Sequence, residues 1–206
     1  MGSPLKFLFE NPENKDWNEP TGTMLGNGFA WGQSSHILAW IFFVTGMDPM
    51  RVFCSMNHNE ITGADVSHAA TIVCANNANI SLSGTTLLPG EAHSHPPVGK
   101  LIRIEVFGSK GALIYSGDDT METSGQLEIR NPDGSKRVIA QDLGFHFENT
   151  VSQGNGPESL KAFLDACRDK DFAIGADSLL GLKTVQTLDA MYRSSISLKF
   201  EEVVQV

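Results

Sequence analysis

Basic residues are scarce: 15 Lys plus Arg stand against 24 Asp plus Glu, a formal charge of −9. A nucleic-acid partner normally needs a basic face, and so does a polybasic membrane-surface domain, so the balance argues against both. Cysteine is sparse too. Cys54, Cys74 and Cys167 cannot all pair and no two lie close in sequence, which reads as three small buried thiols in a reducing compartment. Long hydrophobic runs are missing. The most apolar stretch, Ile37 to Val44, is far short of the roughly 20 residues a transmembrane helix needs. Met1-Gly2-Ser3-Pro4 has no basic n-region and no apolar h-region, so it is not a secretory signal. The expectation is a soluble, cytoplasmic protein. What is there is 206 residues, 41% hydrophobic and 19% charged, enough for a substantial core.

The first thirty residues are turn-rich, with Pro12, Pro20, Gly22, Gly26 and Gly28 interrupting regular structure. Trp31 to Thr45 predicts a helix whose apolar positions run nearly all round, as in a helix covered on most sides, and Gly46 then Pro49 stop it. The middle of the chain predicts strands at Val52–Met56, Val66–Ala75 and Ile80–Leu88, the last two joined through Asn76-Asn77-Ala78-Asn79. Ile80 and Leu82 point one way, while Ser81, Ser83 and Thr85 point the other. Leu101–Phe107 and Ala112–Tyr115 flank Gly108-Ser109-Lys110-Gly111, and Leu127–Arg130 and Arg137–Ala140 flank Asn131-Pro132-Asp133-Gly134, two further hairpins.

Helices return near the end. Leu160, Phe163, Leu164 and Cys167 share one helical stripe after Pro157. A second helix starts at an Asp177 cap and turns Leu179, Leu182, Val185, Leu188 and Tyr192 inward. Ser197–Val204 predicts a final edge strand. The pattern is α+β, a large, mostly antiparallel, open-faced sheet with helices packed on one face.

Several motifs fail on context. Gly26, Gly28 and Gly32 do not fit G-x-G-x-x-G, and Gly108-Ser109-Lys110-Gly111 leads into a strand rather than a helix, so neither is a phosphate loop. His93-Ser94-His95 lies between prolines in a loop with only Glu91 nearby, and His58, His68 and His146 lack ligand spacing, so no metal site is expected. No serine or cysteine has a nucleophile setting. His36 is different: beside a glycine-rich stretch and at a helix start it can face a cleft, though a satisfied structural histidine is the blander reading.

Three blocks carry a resemblance. Gly26-Asn27-Gly28-Phe29-Ala30 running into His36 resembles the G-G-G-a-x-x-D-x-G-x-H segment of the glucose–fructose oxidoreductase/inositol dehydrogenase (Gfo/Idh/MocA) family. Arg103 to Leu113 resembles its r-I-E-i-f-G-t-k-G-x-l strand pair, and Leu160–Ala166 through Ala190–Ser195 its closing helices. The resemblance implies a substrate-binding and oligomerising domain over residues 26–206, preceded at 1–25 by an extension or crossover remnant. It implies a parent that is an NAD(P)-dependent oxidoreductase acting on a sugar, polyol or related hydroxy compound. This chain shows no G-x-G-x-x-G and none of the family's E-K-P motif, whose lysine is catalytic. It is therefore expected to hold no cofactor and to be inert alone.

By the same resemblance His36 is the residue that touches the reacting hydroxyl. Trp31 and Gln33 are expected to line the substrate pocket, Trp31 by stacking on a sugar ring. The family's aspartate four residues before the histidine is Gly32 here, which can neither orient an imidazole nor accept a proton. The polar sheet face with Ser81, Ser83 and Thr85 is the expected surface for a homodimer or higher oligomer. The alternative is a non-catalytic binding, scaffold or regulatory module derived from the same family.

Overall fold

The computed structural model describes residues 1–2, 28–88, 101–118, 125–140, 157–168 and 175–204. In chain order these form a π-helical turn, Ala30–Ser34, helix α1 (Ser35–Thr45) and strands β1 (Pro49–His58), β2 (Asp65–Cys74) and β3 (Asn79–Thr85). Strands β4 (Leu101–Gly108), β5 (Gly111–Asp118), β6 (Gln126–Arg130) and β7 (Lys136–Ala140) follow, then helices α2 (Pro157–Cys167) and α3 (Ser178–Ser197), and β8 (Glu201–Glu202). The class is α+β, and every strand pair is antiparallel. The strands form two sheets, ordered β3-β2-β1-β8 and β4-β5-β6-β7. The chain divides into two units, Leu5–Leu87 with Lys170–Val206, and Met1–Pro4 with Leu88–Asp169.

In the first unit, Asn77 takes the left-handed conformation (φ 61°) that the β2–β3 hairpin requires. Alternation then sorts the faces. Ile80 and Leu82 of β3 are buried, Ser81 and Ser83 exposed, and Thr85 half-buried. The inner face joins Val52 and Cys54 of β1, Ala70, Ile72 and Cys74 of β2, and Ile80 and Leu82. Helices α1 and α3 cover it with Leu38, Phe42, Leu188, Met191 and Tyr192. Each such side chain contributes about 1.5–3 kcal/mol when fully buried. Asp177 caps α3 by accepting from Leu180 N–H at 2.8 Å, as its sequence position predicts. Ser194 Oγ ties α3 to the sheet, accepting from Cys54 N–H at 2.9 Å and donating to Lys199 O at 2.6 Å.

The second unit contains the β4–β7 meander. Gly111 (φ 135°) admits no side chain, because a Cβ would lie 2.3 Å from Arg130 O. Gly134 (φ 82°) closes the β6–β7 turn, where Asp133 Oδ1 accepts from Ser135 N–H. Among the described residues no helix is long and apolar enough to cross a membrane.

Several sequence expectations change. Helix α1 buries one stripe, not its whole surface: Trp40, Phe43 and Val44 are exposed. The inward stripe of α3 is Thr184, Thr187, Leu188, Met191 and Tyr192, whereas Leu179, Leu182 and Val185 face outward. Threonines can occupy that stripe because their hydroxyls donate to the preceding turn, Thr184 to Leu180 O and Thr187 to Lys183 O. Helix α2 forms as expected, yet Leu160, Phe163, Leu164 and Cys167 are exposed, so Cys167 is not a buried thiol. The closing strand shrinks to Glu201–Glu202 because α3 continues through Ser197 and ends at Leu198 in the left-handed conformation.

Candidate functional site

The start of the helical segment sets the site. Gly32 N–H donates to Gly28 O at 3.0 Å, so Gly28 supplies the first helical acceptor. Having no side chain, Gly28 cannot cap the free N–H groups that a helix start leaves. Asp65, at the head of β2 and fully buried, does so instead. Its Oδ1 accepts from Gly28 N–H at 2.8 Å and its Oδ2 from Ala30 N–H at 2.7 Å. The negative carboxylate also suits the positive end of the helix dipole. Tyr192 of α3 donates its hydroxyl to Asp65 Oδ1 at 2.6 Å. Burial, then the Asp65 charge and this hydrogen bond, hold the Tyr192 phenol well above its ordinary pKa, against the backbone groups of Trp31 and Gly28. Gly28 is obligatory, since a Cβ there would lie 2.1 Å from Asp65 O.

Beneath the turn, Ser34 Oγ and His68 Nε2 share a hydrogen bond at 3.1 Å, with both residues buried. Burial lowers the His68 pKa to about 4, and the Asp65 charge only partly opposes it, so the imidazole stays neutral near pH 7. Phe29 and His68 crowd over Gly84, where a Cβ would lie 2.4 Å from the Phe29 ring. His68 Nδ1 has no hydrogen-bond partner among the described residues. A Ser–His nucleophile needs an orienting acceptor at that nitrogen and an accessible hydroxyl; among the described residues no such acceptor is present, and the Ser34 hydroxyl belongs to a buried residue. The pair is an anchor for the far end of the turn.

The anchored segment bears the residues singled out in the sequence. Trp31 and Gln33 are half-buried on the π-helical turn, and His36 is exposed in the first turn of α1. Gln33 Oε1 is buried with no hydrogen-bond partner among the described residues. Gly32 leaves no side chain between Trp31 and Gln33. Gly26 and Asn27, His93 to His95 and His146 lie outside the described residues. Among those described, no three His, Cys, Asp or Glu side chains converge as metal ligands.

The turn does not fit a dinucleotide phosphate, because Asp65 already occupies the Gly28 and Ala30 N–H groups and would repel an anion. Asp65 and Ser34 escaped the sequence reading, which turned Tyr192 inward and weighed His68 only as a metal ligand, giving neither its role here. Their one local signal is a glycine at a helix start with no side chain to cap it.

Residues 5–114, over half of the chain, match the family model described as the GFO/IDH/MocA C-terminal domain. No curated protein matches the chain. Among solved structures, an NAD-binding oxidoreductase from Klebsiella pneumoniae is 17% identical with a TM-score of 0.64, over 100% of this chain and 57% of that one. An aldose–aldose oxidoreductase from Caulobacter crescentus, complexed with glycerol, is 13% identical with a TM-score of 0.64, over 93% of this chain and 51% of that one. An oxidoreductase from Agrobacterium radiobacter, in complex with NAD+, L-tartaric acid and magnesium, is 15% identical with a TM-score of 0.61, over 98% and 55%. At these identities the likeness is one of fold. The chain spans about half the length of these structures.

Proposed function

Since the chain belongs to the Gfo/Idh/MocA C-terminal domain family, we propose that it is the substrate-binding and oligomerising half of an NAD(P)-dependent oxidoreductase acting on a sugar, polyol or related hydroxy compound. The observation that carries this reading is the family match, and Trp31, Gln33 and His36 follow one another on a short segment whose start is capped by Asp65. His36 meets the reacting hydroxyl and takes its proton as the carbinol is oxidised. Gln33, whose side-chain oxygen has no donor among the described residues, accepts from a second hydroxyl. Trp31 offers a ring to the apolar face of a sugar. The nicotinamide is assigned to a separate domain of the parent protein.

The test is His36→Ala in the intact parent enzyme, screened with sugars and polyols for NAD(P)+ reduction at 340 nm. A fall in kcat of about a hundredfold or more is expected from loss of the general base. Unchanged turnover removes His36 from the chemistry and favours the second reading, a non-catalytic module of the same family. Gly32 favours that reading too, because it stands where the family resemblance implies an aspartate.

The open face of the β3-β2-β1-β8 sheet is the proposed subunit surface. It exposes Ser81 and Ser83 on β3 and, across β2, Phe53 on β1, and Phe200 packs on Phe53 at 5.7 Å with the Arg51 guanidinium 5.1 Å above the Phe200 ring. Light scattering at micromolar concentration should give at least twice the 22.3 kDa chain mass. A monomer there counts against the surface.

A further inference from the structure

We infer that Asp65 and Tyr192 are positioning residues that set where the proposed substrate-facing segment, Trp31 to His36, stands. The inference rests on that functional reading. A helix start usually carries its own cap as Ser, Thr, Asp or Asn, and such a cap moves with its helix. Gly28 cannot do this, so the acceptor comes from Asp65, 37 residues further along the chain on a different element.

The carboxylate is held in turn. Three donors meet its two oxygens, from Gly28, Ala30 and Tyr192, and the last lies 127 residues from Asp65. Rotating the carboxylate would break all three bonds. The turn is thereby referenced to β2 and α3 rather than to its own neighbours. Gln33 shows why this matters, since its buried side-chain oxygen has no hydrogen-bond partner among the described residues and the backbone that carries it is the one Asp65 holds.

Removing the clamp should loosen residues 28–36 without loosening the core that α3 makes with the sheet. A role in general stability would instead raise exchange everywhere in the unit by one factor. The experiment is amide hydrogen exchange by NMR on the full chain carrying Asp65→Asn, and separately Tyr192→Phe. In Asp65→Asn one oxygen becomes an NH₂ group that faces a backbone N–H.

Exchange at 28–36 is expected to rise about tenfold or more, with Leu188, Met191 and the β1–β2 ladder unchanged. Tyr192→Phe, which keeps the ring and loses one donor, should give a smaller rise in the same stretch. A uniform rise across the unit, or no rise at 28–36, overturns the inference. If Asp65→Asn does not fold, the local-against-uniform comparison in Tyr192→Phe decides alone. Exchange thus tests the positioning, and His36→Ala turnover separately tests whether the positioned segment serves a substrate.

Discussion

The two sheets are made from similar strands and end in different environments. In β2 and β3 every second residue over most of the strand is buried, Val52 and Cys54 continue the pattern in β1, and the inner face lies under α1 and α3. In β4, β5 and β6 the same alternation yields mostly half-buried and exposed positions, with Ile102 the one buried large side chain described there. Phe107, Leu113, Val138 and Ile139 are exposed. Alternation therefore identifies the two faces of a strand and says nothing of what covers either. Cover comes from other elements, here α1 just before β1 and α3 far beyond β3 in the chain.

The comparison can be broken hardest by truncating one apolar side chain in each sheet. Ile72→Ala removes a fully buried group beneath two helices and is expected to cost about 2–5 kcal/mol. Leu113→Ala, at 36% exposure, is expected to cost under about 1 kcal/mol. Urea denaturation of both variants checks the pair, and equal losses would erase the distinction.

A smaller effect follows from pH. The folded first unit keeps His68 neutral down to about 4, while an unfolded chain protonates it near the ordinary histidine value of about 6.5. As pH falls through that window the unfolded state alone gains the proton. Stability supplied by neutral His68 is complete above the window and is lost toward pH 4, at about 1.4 kcal/mol per pH unit. His68→Gln should flatten this part of a stability–pH curve, and an unchanged slope would refute the assignment.

The mildest contrast is chemical. Cys54, in the core, has its thiol pushed up to about 12 by burial and then by the Asp65 charge, whereas Cys167 on α2 is exposed. A disulfide reagent at pH 8 should label Cys167 about a hundredfold faster than Cys54. Cys167→Ser should abolish the fast phase. Comparable rates would mean that the core opens readily.

These differences mark how far the sequence could be read. The hairpin through Asn76 to Asn79, the glycine turns at 111 and 134, and the Asp177 cap were all legible, because each depends on residues a few positions apart. The outward Leu179, Leu182 and Val185 were misread, since the threonines on the opposite stripe of α3 bury their hydroxyls on the helix's own carbonyls. At the candidate site, Trp31, Gln33 and His36 came from a resemblance in sequence. Asp65, and the bond that Tyr192 makes to it, came only from the tertiary structure.

By itself the sequence determined the α+β class, the strand alternation and where the turns fall. Those follow from backbone preferences and side-chain periodicity, which act within a few residues. The tertiary structure decided which helix stripe is covered, that His68 is neutral, and that a carboxylate on β2 caps a helix beginning at Gly28. Each of these depends on burial and on partners brought together from 34 to 127 residues apart. Local preference cannot encode such a meeting, because desolvation and a shared hydrogen bond exist only once the chain has closed around them.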